Sequence, residues 1–107
     1  MSKNTDVNGN ALASQVAFTR ELVKVGETLL RFDKTLERLD GEGVWVVSIK
    51  LRAPTDDTNT WLAVTHARVN GEGKVGFHGG DSIFETLKGV LGRLESGHMK
   101  WKDDLYA

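Results

Sequence analysis

The first third of the chain repeats its apolar positions with a helical period. Between Ala11 and Val25, Leu12, Val16, Thr19 and Val23 fall on one line, and Phe18, Leu22 and Val25 on another. Together they predict an amphipathic helix with a broad apolar face. The second line continues through Leu29, Phe32, Leu36 and Leu39 at alternating spacings of four and three, a heptad stripe. Taken as one helix, residues 11–39 would be about 43 Å long. Such a stripe suits either a coiled-coil seam or a helix packed on its own sheet. Gly26 in its middle, and the lack of regular Glu/Lys pairs beside it, favour the second.

Residues 30–39 carry a competing pattern. Leu30, Phe32, Lys34, Leu36 and Arg38 alternate with Arg31, Asp33, Thr35, Glu37 and Leu39, as in a half-buried strand. An internal echo points the same way. Arg38-Leu39-Asp40-Gly41-Glu42-Gly43 resembles Arg68-Val69-Asn70-Gly71-Glu72-Gly73, and Asp-Gly and Asn-Gly are hairpin signals. Gly41 would equally stop a helix. The strand is preferred for 30–39, because a shorter first helix fits the sheet better.

Downstream the periods are clearer. Val44 to Arg52 is rich in Val, Ile and Trp and predicts a strand. A polar loop with the single Pro, Ala53 to Asn59, leads to a second strand over Thr60 to Val69. Lys74 to His78 makes a third, which Gly79-Gly80 should end. Ser82 and Glu85 have capping-box spacing ahead of a helix whose apolar line is Ile83, Leu87, Val90 and Leu94, with Gly97 as its stop. The expected fold is α+β: an N-terminal helix, an antiparallel meander of three or four strands, a C-terminal helix packed on the sheet, and a short aromatic tail. The expected organisation is a flexible arm over 1–10, one domain over 11–97 and a tail over 98–107. This element order is shared with double-stranded RNA-binding domains. The basic cluster expected at the second helix of such a domain is absent, and Asp81-Ser82-Ile83-Phe84-Glu85 stands in its place.

Strand alternation divides the sheet residues into two faces, and the loop length sets how those faces match. A three-residue loop, Gly71-Glu72-Gly73, puts Ala67 and Val69 with Val75 and Phe77 and gives the best apolar match. The opposite face then carries Lys50, Arg52, His66, Arg68, Lys74 and His78 with no acid of that parity. With an even loop this platform dissolves. In this parity Trp45, Trp61 and Phe77 point to the core, so the basic face has no aromatic ring on which a base could stack.

Charge gives that face its interest. Fourteen Lys and Arg stand against 15 Asp and Glu, a formal net charge of −1, so no bulk field selects a polyanion. A sorted surface can still do so. The apolar runs are short, such as Val44 to Val47, which excludes a membrane span of about 20 residues. The polar N-terminus lacks a signal-peptide core, and the expected compartment is the cytoplasm. No Cys is present, so thiolate chemistry and Cys-based zinc sites are excluded.

Little remains for catalysis. His66, His78 and His98 lack metal-ligand spacing, and no metal or cofactor is expected. His78 and Ser82 suggest a base and a nucleophile, but a helix cap after a turn accounts for both. Asp56-Asp57 and Asp103-Asp104 sit in a loop and in the tail, without an evident buried partner to tune them. The first expectation is therefore a small non-catalytic module, as a homodimer, binding single-stranded nucleic acid or another polyanion through the six basic residues. The alternative is a protein-interaction module or small regulator, using Gly89 and Gly92 on the second helix with Trp101 and Tyr106 of the tail. Glycines inside a helix cost roughly 1 kcal/mol each relative to Ala and call for a reason.

Overall fold

The computed structural model describes residues 3–105, with side chains of the first helix described at Arg20 and from Val23 onward. Helix α1 runs Lys3–Gly41, followed by β1 (Val44–Arg52), β2 (Trp61–Val69), β3 (Glu72–Gly80), α2 (Ile83–Ser96) and the two-residue β4 (Lys102–Asp103). The chain divides into two compact units, Met1–Leu30 and Arg31–Ala107. The first is the leading part of α1, which begins inside the segment expected to be an arm. Of its apolar stripes, Val23, Val25 and Leu29 are exposed. Phe18 and Leu22 lie outside the described side chains. The second unit is a small α+β domain built on one four-stranded antiparallel sheet, in the order β1-β2-β3-β4.

The strand preferred for residues 30–39 is corrected to helix. The side chains explain the outcome. Phe32, Leu36 and Leu39, at helical spacing, join one cluster with Ala63, Val90, Leu94 and Met99. Arg38 reaches the Glu42 carboxylate one turn on at 3.2 Å and the carbonyl of Glu95 on α2 at 3.0 Å. Arg31 pairs with the Glu95 carboxylate. Arginine and glutamate stems suit a helix, and here their charges fasten α1 to α2. The two echoed segments therefore do different work. Gly41 ends α1, and Asn70-Gly71 turns β2 into β3. They meet where the Asn70 amide donates to the Gly43 carbonyl at 2.8 Å.

The three-residue loop is also corrected. Asn70 (φ 52°) and Gly71 (φ 85°) both take the left-handed region and form a two-residue turn between paired Val69 and Glu72. Positive φ at both central residues is the type I′ requirement, which Asn-Gly meets. A second irregularity lies in β1. Val46 faces Ala67 but Ser48 faces His66, so Val47 is an extra residue, a β-bulge. Val44, Val46, Ile49 and Leu51 consequently share the helix-side face, whereas Trp45 goes to the other. Nor does Gly79-Gly80 end the sheet: both residues pair with β2.

The helix-side face of β2 is lined by Ala63, Thr65 and Ala67, all buried. Their small side chains let Val90, Leu91 and Leu94 of α2 close down on the sheet. As expected, Ser82 caps α2, its hydroxyl accepting from the Glu85 amide at 3.1 Å, and Gly97 stops it with φ 75°. The tail then packs on its own domain. Met99 is buried in the core, Trp101 lies against it, and β4 pairs with β3. Gly76 makes this possible, since an added Cβ there would lie 2.6 Å from the Met99 sulfur. Among the described residues no helix is long and apolar enough to cross a membrane.

Candidate functional site

Both helices of the second unit lie on one side of its sheet, and the other side is open. Register arranges that open side in rows across the strands. Trp45, Arg68 and Gly73 make one row; Ser48, His66, Val75 and Lys102 the next; Lys50, Val64 and Phe77 the third; Arg52, Leu62 and Gly79 the last. Successive rows are about 7 Å apart and neighbouring strands about 5 Å. Trp45 and Phe77 are thus separated diagonally by about 17 Å. Their exposures are 60% and 46%, large for aromatic side chains in a sheet. Lys50, Arg52 and Arg68 stand exposed around and between them.

Of the six residues expected on one basic face, the sheet brings together four: Lys50, Arg52, His66 and Arg68. Lys74 and His78 are corrected to the helix side, because the two-residue turn opposes them to Ala67 and Ala63. Lys74 is neutralised by Asp103, with Glu72 at 3.4 Å. The hydrogen bond it donates to Asp103 raises the Lys74 pKa above the usual lysine range. His78 accepts a hydrogen bond at Nδ1 from Arg93 Nε at 2.9 Å. Burial, and then the Arg93 charge, push its pKa below the ordinary value. Arg93 rather than Ser82 is thus the partner of His78, and the pair suggested for a nucleophile and base is a half-buried contact beside a helix cap.

The same turn that removes two cations brings one aromatic to light, and the bulge in β1 brings a second. Trp45 and Phe77 were expected in the core, and both are corrected to the open face: Phe77 by the parity of the Asn-Gly turn, Trp45 by the bulge at Val47. Trp61 keeps its helix-side parity, opposite Gly80. Lys102 reaches over Phe77, its Nζ 5.9 Å from the ring centroid.

An acid also reaches the open face, from outside the three long strands. The Asp104 amide donates to the Gly73 carbonyl at 3.1 Å, and the Asp104 carboxylate lies 3.0 Å from His66 Nδ1. With its proton on Nδ1 the imidazole donates this bond whether neutral or charged. The pair separates two depressions. One, of about 410 Å³, is lined by Val47, Ser48, Lys50 and Arg68 as well as His66 and Asp104. Its neighbour, of about 280 Å³, is bounded by Val64, Val75, Phe77 and Leu105. Cations predominate around the first, and apolar side chains together with His66, Asp103 and Asp104 line the second.

Two residues of the alternative interface, Gly89 and Trp101, have intramolecular tasks. At Gly89 an added Cβ would fall 1.9 Å from His78 Nε2, so its missing side chain makes room for the imidazole. Trp101 packs on the core, and Tyr106 lies outside the described residues. Gly92 alone faces open space, with nothing within 4 Å of a Cβ built there. Among the described residues no group of three His, Cys, Asp or Glu could hold a metal ion. No protein-family model, curated protein or solved structure matches the chain.

Proposed function

We propose that the open face of the sheet binds single-stranded nucleic acid, without catalysis. The observation that supports this most directly is the exposure of Trp45 and Phe77 on the same face as Lys50, Arg52 and Arg68. Unpaired bases present π-faces that stack on aromatic rings, whatever the sequence. Their phosphates are spaced along a flexible backbone and are neutralised by lysine and arginine, with release of counterions. A polyanion without bases would use the cations and leave both rings in water. A duplex keeps its bases stacked and would leave the rings unused as well. The net charge of −1 is compatible with such a face, because steering depends on the local field.

The test is fluorescence anisotropy with a labelled oligothymidylate over a range of salt. Arg52→Glu/Arg68→Glu should weaken binding and flatten the salt dependence by about two units of slope. Trp45→Ala should cost about 1–3 kcal/mol with the salt slope kept. Unchanged affinity in the charge-reversed protein would overturn the reading.

A further inference from the structure

The Asp104 carboxylate stands among cations on a face to which the three long strands contribute no acid, and it arrives there on the tail. Two elements fix it. The β4 ladder pairs Lys102 with Val75 and Asp103 with Lys74, and the Asp104 amide then bonds to the Gly73 carbonyl at the end of that ladder. The side chain turns into the cationic depression, where it is largely shielded from solvent (14% exposed) and meets His66. Lys50, Arg68 and the Ser48 hydroxyl line the same hollow. A carboxylate in such a place occupies the position that a ligand anion would take.

We propose that the tail is an intramolecular competitor for this face. Asp104 holds the depression as a stand-in anion, and a phosphate of the bound strand displaces it. The inference rests on the nucleic-acid reading above and adds to it a regulated subsite. The strap is short. β4 has two residues, and its flanking hydrogen bond lies at its end. Such short, exposed strand pairings open at low free energy. Leu105, 86% exposed and beside Phe77 in the apolar depression, would leave with it and uncover the ring further. Trp101 and Met99, held in the core, would stay and keep the tail tethered.

The experiment compares Asp104→Asn with the wild type in oligothymidylate binding. Asp57→Asn, in the loop between β1 and β2, controls for the loss of one negative charge. Asp104→Asn should bind roughly three- to tenfold more tightly, while Asp57→Asn should stay within about 1.5-fold of wild type. Amide hydrogen exchange supplies a second readout: the oligonucleotide should accelerate exchange at Lys102 and Asp104 in the wild type. If the wild type binds, equal affinity in Asp104→Asn with unchanged tail exchange overturns the competitor and leaves the nucleic-acid reading standing. Binding by Asp104→Asn alone supports both. Failure of both proteins to bind at low salt overturns both.

Discussion

Two glycines three residues apart on α2 carry opposite energetic meanings. Gly89 is the floor on which the His78 ring rests, and a methyl group there must displace the imidazole. Gly92 has open space where a methyl group would stand. Gly89→Ala should therefore destabilise the domain by about 1–3 kcal/mol through overpacking, and Gly92→Ala should stabilise it by about 0.8–1 kcal/mol through helix propensity. Urea unfolding of the two variants would check this, and equal shifts of one sign would contradict it. In the sequence the two residues form one small-residue line suited to close approach by a partner. The contact that separates them is with His78 on a strand, and no spacing along a helix reports which strand residue lies beneath it.

Among the elements, the hairpin of β2 and β3 decides what the sheet displays. Gly71 sits at φ 85°, where an L side chain crowds the following carbonyl, so Gly71→Ala should cost about 1–2 kcal/mol by thermal or urea unfolding. The elements themselves were readable: both ends of α2, the extent of β1 and the Asn-Gly turn all follow from residue types. The faces were not, and for two separate reasons. The dipeptide Asn70-Gly71 is the stronger two-residue turn signal, but the alternative loop pairs Val69 with Val75 and offers the better apolar match. What outweighs that match is Gly76: with no side chain it accepts Met99 against the sheet, so the helix side needs no apolar residue of its own there. The bulge at Val47 leaves no mark in composition. One uncounted residue carries Trp45 across the sheet while Ile49 and Leu51 stay within. Residues 30–39 failed differently, because their alternation over ten positions satisfies both periods and only the fit of Phe32, Leu36 and Leu39 against α2 and β2 selects the helix.

At the scale of the whole molecule, the contact between α2 and the sheet links stability to pH. The His78 pKa is lowered in the folded protein by burial first and by Arg93 second. The unfolded chain thus takes up a proton near pH 6.5 while the native protein does not. Stability should be full above that pH, fall as pH drops below it, and stop falling on this account once the native imidazole is itself protonated. The slope of unfolding free energy against pH between about 6.5 and 5 should flatten in His78→Asn; an identical slope would remove His78 from the account. Glu95, its pKa lowered first by the hydrogen bond from Arg31, acts in the same direction at lower pH, since its stabilisation is lost on protonation.

The order of the strands has a consequence in time. Each long strand pairs with its sequence neighbour, so β1, β2 and β3 can zip together as the chain leaves the ribosome N-terminus first. Such local pairing forms quickly, without a long loop to close. The α1 residues Phe32, Leu36 and Leu39 find Val90 and Leu94 only after α2 has been made, and Met99 and Trp101 follow. Asp104 follows all of these in the chain. The nascent sheet therefore exists for a moment with Trp45, Lys50 and Arg68 in place and the Asp104 carboxylate still to come. Under the reading proposed above, a nucleic acid present in that interval would meet the face before its internal rival does.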